Sequence, residues 1–284
     1  MEYIDLHTHS TASDGTLRPA EIFELACSIG LRAVALTDHD TTAGLAEFLE
    51  ASGERPECEA IPGVELACSY GGKELHIVGL FIDSRSEQLT AFIEKARINR
   101  ASRNRDIFAK LQILGYKLDI DMPEFRSLPI DQIGRPHFAQ ALAANYDFPN
   151  IRTVFEKLLG HSRPAYVPRR LSNPKEAIDA IHAAGGIAIW AHPVRKDGNE
   201  CAALRRCCRK LGALGLDGIE GYYSMFSQAE TALVTETAKT YSLAVSGGSD
   251  FHGANSPNIV LGFGTGGLRV PAELLTALKA KRIR

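Results

Sequence analysis

Strand-sized apolar runs alternate with amphipathic helical stretches at both ends of this chain, and few folds accommodate that rhythm. Residues 3–8 read as a strand and 19–29 as a helix, with Pro19 near its first turn and Gly30 beyond its end. A strand at 33–37 and a helix at 42–51 come next, then two valine- and isoleucine-rich strands at 60–66 and 75–82. The pattern resumes later, with helices at 174–184, 202–214, 228–241 and 271–281 and strands at 187–191, 218–222 and 243–246. Such alternation implies a mostly parallel sheet, and about seven strand–helix units favour closure into a barrel.

The middle of the chain breaks the rhythm. Residues 87–168 carry helical patterns and no convincing strand. They read as one long helix over 88–114, a Met122-Pro123 break, a Gly134-Arg135-Pro136 turn and two shorter helices. The expected division is a barrel assembled from residues 1–86 and 169–284, with 87–168 as a helical insertion that caps the substrate.

Composition narrows the function. With 284 residues, 45% of them apolar, the chain is long enough to bury a full core. A formal net charge of −2 and a pI near 6.5 exclude a global positive field that would draw in long duplex nucleic acid. Local arginines could still hold a small anionic substrate or a short oligonucleotide. No stretch approaches the ~18 apolar residues of a membrane span, and the N-terminus lacks the basic-then-apolar order of a signal peptide. Cys27, Cys58, Cys68, Cys201, Cys207 and Cys208 form no CxxC pair and read as small buried hydrophobes in a reducing compartment. The expectation is a cytoplasmic protein with no membrane partner.

Chemistry concentrates at the strand ends. His7-Thr8-His9 closes the first strand, and two residues apart on a strand means one face, so both imidazoles can reach one point. Asp14, in Ser13-Asp14-Gly15, follows on a loop that can fold back. Asp38-His39 closes the second strand, Gly63-Val64-Glu65 lies in the third, and His76 opens the fourth. His192 ends a later strand, and Asp250 and His252 follow another. The C-terminal rim of its strands is where a barrel carries its active site. Nitrogen and oxygen donors without thiolate suit manganese, iron or zinc. Asp5, on the strand face of His7 and His9, reads either as a partner that orients an imidazole or as a buried acid satisfied by backbone amides; Asp38 and Asp40 share that ambiguity.

In these motifs the chain resembles the polymerase and histidinol phosphatase (PHP) family, whose pattern runs HxH, SDG, DH, PGxE, AHP and a final SDxH. All occur here in order, as His7-Thr8-His9, Ser13-Asp14-Gly15, Asp38-His39, Pro62-Gly63-Val64-Glu65, Ala191-His192-Pro193 and Ser249-Asp250-Phe251-His252. The resemblance implies an α/β fold, a distorted (β/α)7 barrel, binding two or three divalent metal ions, with manganese favoured. By that resemblance one site takes His7, His9, Glu65 and Asp250. A second shares Glu65 and adds His76 and His192, and a third takes Asp14, His39 and His252. Glu65, Asp250 and His252 are the residues expected to bear most directly on catalysis. Three divalent cations against three carboxylates leave net positive charge for a phosphate dianion.

Substrate contacts are expected from the insertion. Gly134-Arg135-Pro136-His137 sets an arginine at a helix start, a natural phosphate seat, and residues 162–170 bring a second arginine, Arg169. Arg135, Arg169 and His137 are the candidate substrate-binding residues. Arg97, Arg100, Arg103 and Arg105 read as a solvated helix face, or otherwise as a track for an oligonucleotide backbone. His182, midway along a helix, reads as structural. The segments around Arg135 and Arg163–Arg169 look like the family branch of 3′,5′-nucleoside bisphosphate phosphatases and enzymes trimming short 5′-phosphorylated RNA. That resemblance implies hydrolysis of the 3′-phosphate of a substrate such as adenosine 3′,5′-bisphosphate, giving the nucleoside 5′-monophosphate. Two rivals stay open: a histidinol-phosphate phosphatase, and a metal-stabilised, non-catalytic binding module.

Overall fold

The structure, a computed structural model, describes residues 2–53, 55–125, 128–194 and 200–282; the Cys201 side chain lies outside the described residues. Contacts divide the chain into a unit of residues 1–93 with 172–284 and a unit of residues 94–171. The first bound falls later than the sequence-based one because Leu89, Phe92 and Ile93 of the long helix bury themselves in the first unit's core.

The first unit is a seven-stranded sheet in sequence order. Its strands are β1 (Ile4–Asp5), β2 (Ala33–Leu36), β3 (Glu59–Tyr70), β4 (Lys73–Leu80), β5 (Ile187–Trp190), β6 (Gly218–Tyr223) and β7 (Ala244–Gly248). The sheet curls until its ends meet: the Leu6 amide donates to the Gly247 carbonyl at 3.1 Å, and Asp250 to His7 at 2.9 Å. Four of the six neighbouring strand pairs are parallel, and β4 runs antiparallel to both β3 and β5. The cause is local. Gly71 and Gly72, at φ 58° and 77°, supply the two left-handed positions of a tight hairpin turn, so no crossover helix separates β3 from β4.

Helices α1 (Pro19–Ser28), α2 (Leu45–Ser52), α6 (Pro174–Ala183), α7 (Glu200–Ala213), α8 (Gln228–Thr240) and α9 (Leu274–Lys281) belong to this unit. Their starts follow ordinary capping chemistry: Asn173 accepts the Glu176 amide before Pro174, and Ser227 and Glu230 form a reciprocal box at α8. Every residue of β2 is buried, because each face meets its own core. Val34 and Leu36 pack towards Phe23 and Phe48 of the helices, while Ala33 and Ala35 join Ile61, Val78 and Leu80 on the other face. Register places Glu65 opposite Val78, so Glu65 and His76 share that inner face.

The second unit is helical. Most of α3 (Glu87–Ile113), then α4 (Arg135–Asn145) and α5 (Ile151–Val154), surround Phe125, Phe138, Leu142 and Leu159. Phe108 stands 4.8 Å from Phe138 and 5.4 Å from Phe125, ring centre to ring centre. Arg103 departs from the solvated face expected of it: it is buried, and its guanidinium donates to the Val167 carbonyl at 3.1 Å. Arg97 pairs instead with Asp131, at 2.6 Å.

Candidate metal centre

The strand ends deliver the expected side chains to one place, each by an identifiable local device. Thr8 turns its hydroxyl to the Ala35 carbonyl at 2.6 Å, tying that residue to β2 and leaving His7 and His9 to the centre. The loop carrying Asp14 is held by Asp38, whose carboxylate accepts the Ser10 amide at 2.7 Å and the hydroxyls of Ser10 and Ser13. Gly15 closes that loop against His9, where any Cβ would lie 2.2 Å from the His9 carbonyl oxygen. His39 follows β2, and Asp40 beside it accepts the Ala67 amide at 3.1 Å. Because β4 is reversed, its N-terminal half lies at the edge where the parallel strands end, which is why His76 joins from the early part of its strand. Asp40, His192 and Asp250 all have left-handed backbones, at φ 49°, 31° and 58°. Strain of this kind, about 1–3 kcal/mol per residue, persists only where the surroundings over-determine it.

Glu65 is the hub. Its Oε1 lies 2.8 Å from His76 Nδ1 and 3.1 Å from His192 Nε2; its Oε2 lies 2.9 Å from His39 Nδ1 and 3.3 Å from Nε2 of both His7 and His9. Asp250 Oδ1 reaches His9 Nε2 at 3.2 Å and His7 Nε2 at 3.7 Å. Asp14 Oδ1 sits 3.2 Å from His252 Nε2. The rings pack closely, His9 stacking on His252 at 4.1 Å between centres.

This donor set suits cations. His7 Nε2, both ring nitrogens of His9 and Glu65 Oε2 are buried and make no hydrogen bond. Such atoms are costly to leave unsatisfied, and a divalent cation among them would satisfy them. Among the described residues, three groups have ligand atoms close enough to share an ion: His7, His9 and Glu65; His39, Glu65 and His76; and His9, Asp14, His39 and His252. His9 and His39 each stand in two groups, a sharing the motif order did not specify.

The electrostatics run the same way. Burial opposes charge on Glu65, yet His39, His76 and His7 hold its carboxyl well below the usual range. Burial likewise opposes charge on His76, but Glu65 outweighs it and lifts the ring to about 10. His9 goes the other way, pushed down to about 4 by burial and by His39 beside it. Protons thus stand where cations would, and binding would displace them.

Asp5 is buried and satisfied by amides. Its carboxylate accepts from the backbones of His7, Ser249 and Gly262, and it orients no imidazole. Burial, offset in part by Ser249, raises its pKa. That task falls to Glu220, which strand alternation did not single out: its Oε1 lies 3.0 Å from His7 Nδ1. Tyr223, also unanticipated, donates its hydroxyl to Asp250 Oδ2 at 3.0 Å. Glu220 and Tyr223 are three apart, a spacing that alternation would put on opposite faces; a bulge at Gly221 brings both to the centre. The legible signal was an acid inside an otherwise apolar strand.

Arg135, His137 and Arg169 belong to the helical unit. The Arg135 guanidinium lies 5.7 Å from the Tyr166 ring centre and 6.0 Å from that of Phe155. His137 Nδ1 accepts the Gly134 amide at 2.9 Å and so caps α4. Arg169 is half-buried. His182 pairs with buried Asp217 at 2.6 Å.

A family model described as the PHP domain matches residues 5–182. The chain is 37% identical to a 3′,5′-nucleoside bisphosphate phosphatase from Chromobacterium violaceum, over 89% of this chain and 88% of that one. It is 35% identical to a 5′-3′ exoribonuclease from Haemophilus influenzae, over 87% and 89%. Among solved structures, an amidohydrolase from Chromobacterium violaceum with bound sulfate superposes with a TM-score of 0.82 at 33% identity, covering 98% and 96% of the two chains. A candidate metal-dependent phosphoesterase from Bifidobacterium adolescentis superposes with a TM-score of 0.81 at 26% identity, covering 100% and 97%.

Proposed function

This chain belongs to the PHP domain family, and from that premise we propose that it is a metal-dependent phosphatase acting on the 3′-phosphate of nucleoside 3′,5′-bisphosphates. The observation that carries the reading is the convergence on Glu65 of five imidazoles from four strand ends, with orphaned donor atoms between them. Two or three cations would be held by His7, His9, Asp14, His39, Glu65, His76, His192, Asp250 and His252, with manganese the favoured ion. Such ions acidify water and clamp phosphoryl oxygens.

Exposure gives the centre a direction. His7, His9 and Glu65 are essentially closed to solvent, at 1%, 0% and 0%, whereas His39, His76, His192 and Asp250 are 19–23% open. The closed side forms a dry floor, and a phosphate would enter from the open side. Tyr223 occupies one Asp250 oxygen and leaves the other turned to His7 and His9, so this carboxylate is oriented before any ligand arrives.

In this reading the metal-ligating residues would hold the phosphate that is cleaved, and Arg135, Arg169 and His137 would bind the other. Short 5′-phosphorylated oligoribonucleotides are a second substrate class, favoured by the likeness to exoribonucleases. No helix among the described residues is long and apolar enough to cross a membrane. No disulfide joins cysteines among the described residues, which suits a reducing cytoplasm.

The test is manganese-dependent phosphate release from adenosine 3′,5′-bisphosphate, 3′-AMP, 5′-AMP, histidinol phosphate and a 5′-phosphorylated dinucleotide. Strong preference for the bisphosphate supports the reading. Equal turnover of a plain monophosphate or of histidinol phosphate removes the role of the second phosphate, and no hydrolysis of any substrate favours the binding-module alternative.

A further inference from the structure

We infer that Glu220 is a positioning residue that sets two metal-binding positions at once, the His7 ring and the backbone at His192. The inference rests on the metal-centre reading above. Glu220 lies in β6, 3% exposed, and its two carboxylate oxygens have separate partners. Oε1 is 3.0 Å from His7 Nδ1, and Oε2 accepts the His192 amide at 2.6 Å.

An ionised carboxylate only accepts hydrogen bonds. His7 must therefore place a proton on Nδ1 to meet it, so that in the neutral ring a cation requires, Nε2 is the atom that turns its lone pair inward. Nε2 is the His7 atom that faces Glu65 Oε2 at 3.3 Å and Asp250 Oδ1 at 3.7 Å, and it has no hydrogen-bond partner of its own. A carboxylate behind a metal-ligating imidazole fixes both ring and tautomer in this way.

The second partner is backbone. His192 holds φ at 31°, a conformation that residues with a Cβ seldom adopt. The hydrogen bond that its amide donates to Glu220 steadies that turn, and the turn delivers His192 Nε2 to within 3.1 Å of Glu65 Oε1. One side chain thus ties the strand end after β1 to the strand end after β5.

Glu220→Gln separates this role from simple satisfaction of buried polar groups. Glutamine has the same shape but one acceptor and one donor. If its NH2 faces His192, two donors oppose each other and the backbone turn loses its support. If its NH2 faces His7, it takes the Nδ1 lone pair and drives the ring proton to Nε2, the atom needed by the cation.

Asp217→Asn is the matched control. Asp217 is likewise buried and joins a ring, His182 Nε2 at 2.6 Å, to a backbone amide, that of Ala188 at 2.9 Å, but none of these belongs to the centre. The measurements are manganese titration of metal-stripped protein and ring-nitrogen NMR of the histidines. Glu220→Gln is expected to weaken manganese binding by about 10–100-fold and to alter the His7 tautomer. Asp217→Asn should leave both unchanged, whatever it does to the melting temperature. Overturning results are a Glu220→Gln protein with wild-type affinity and tautomer, or an equal loss of affinity in Asp217→Asn. Wild type that fails to bind manganese would instead overturn the metal-centre reading, and this inference with it.

Discussion

Glu65→Gln keeps the volume of the side chain and removes its charge from the point where the centre converges. Two oxygens of Glu65 lie within 3.3 Å of five imidazole nitrogens, those of His7, His9, His39, His76 and His192. Glutamine retains one acceptor, so either the His76–His192 side or the His7–His9–His39 side meets an NH2 in place of an anionic oxygen. Removing one partner from a buried, paired charge costs about 3–5 kcal/mol. At ~1.4 kcal/mol per tenfold, that corresponds to roughly a hundred- to several-thousandfold weaker binding of manganese. The assay is a manganese titration of chelator-treated protein followed by mass-spectrometric metal content, with circular dichroism to establish that the variant folds. Phosphate release should fall with the metal content. A folded Glu65→Gln protein that keeps wild-type metal content and turnover would refute the argument that this carboxylate is the shared ligand.

Asp250→Asn should fold normally and lose most hydrolysis, measured as phosphate release at saturating manganese, because the side chain that Tyr223 orients no longer offers a charged oxygen. In chelator, burial opposes charge on His76 and His252, but Glu65 and Asp14 lift their rings to about 10 and about 9. A histidine raised above 6.5 stabilises the fold fully below that value and loses the contribution as pH climbs through the raised one. Metal-stripped protein should therefore melt at a lower temperature at about pH 9.5 than at about pH 6.5, while manganese titrations should tighten over the same interval. Arg169→Ala should raise KM for adenosine 3′,5′-bisphosphate and leave KM for 3′-AMP nearly unchanged; equal effects on both would remove Arg169 from recognition of the second phosphate.

The candidate ligand positions stand out in the sequence because what marks them is local. An imidazole or carboxylate at the end of a strand-sized apolar run, as at His39 and His192, needs only the chain's own periodicity to be recognised. The helix starts at Pro19 and Pro174 are legible for the same reason. Pairing is another matter. His7 meets Glu220 across 213 positions and Glu65 meets His192 across 127, distances that only closure of the sheet could set. The residue that supports His7 could not be picked out by alternation, since the Gly221 bulge changes the parity between Glu220 and Tyr223. Asp5 shows the converse: its place on the strand is local, but the amides of Ser249 and Gly262 that claim its oxygens arrive from the far end of the chain. Periodicity along a chain determines which side chains face inward. Which of them touch is decided when the barrel closes, because distances across the interior depend on every strand's register at once.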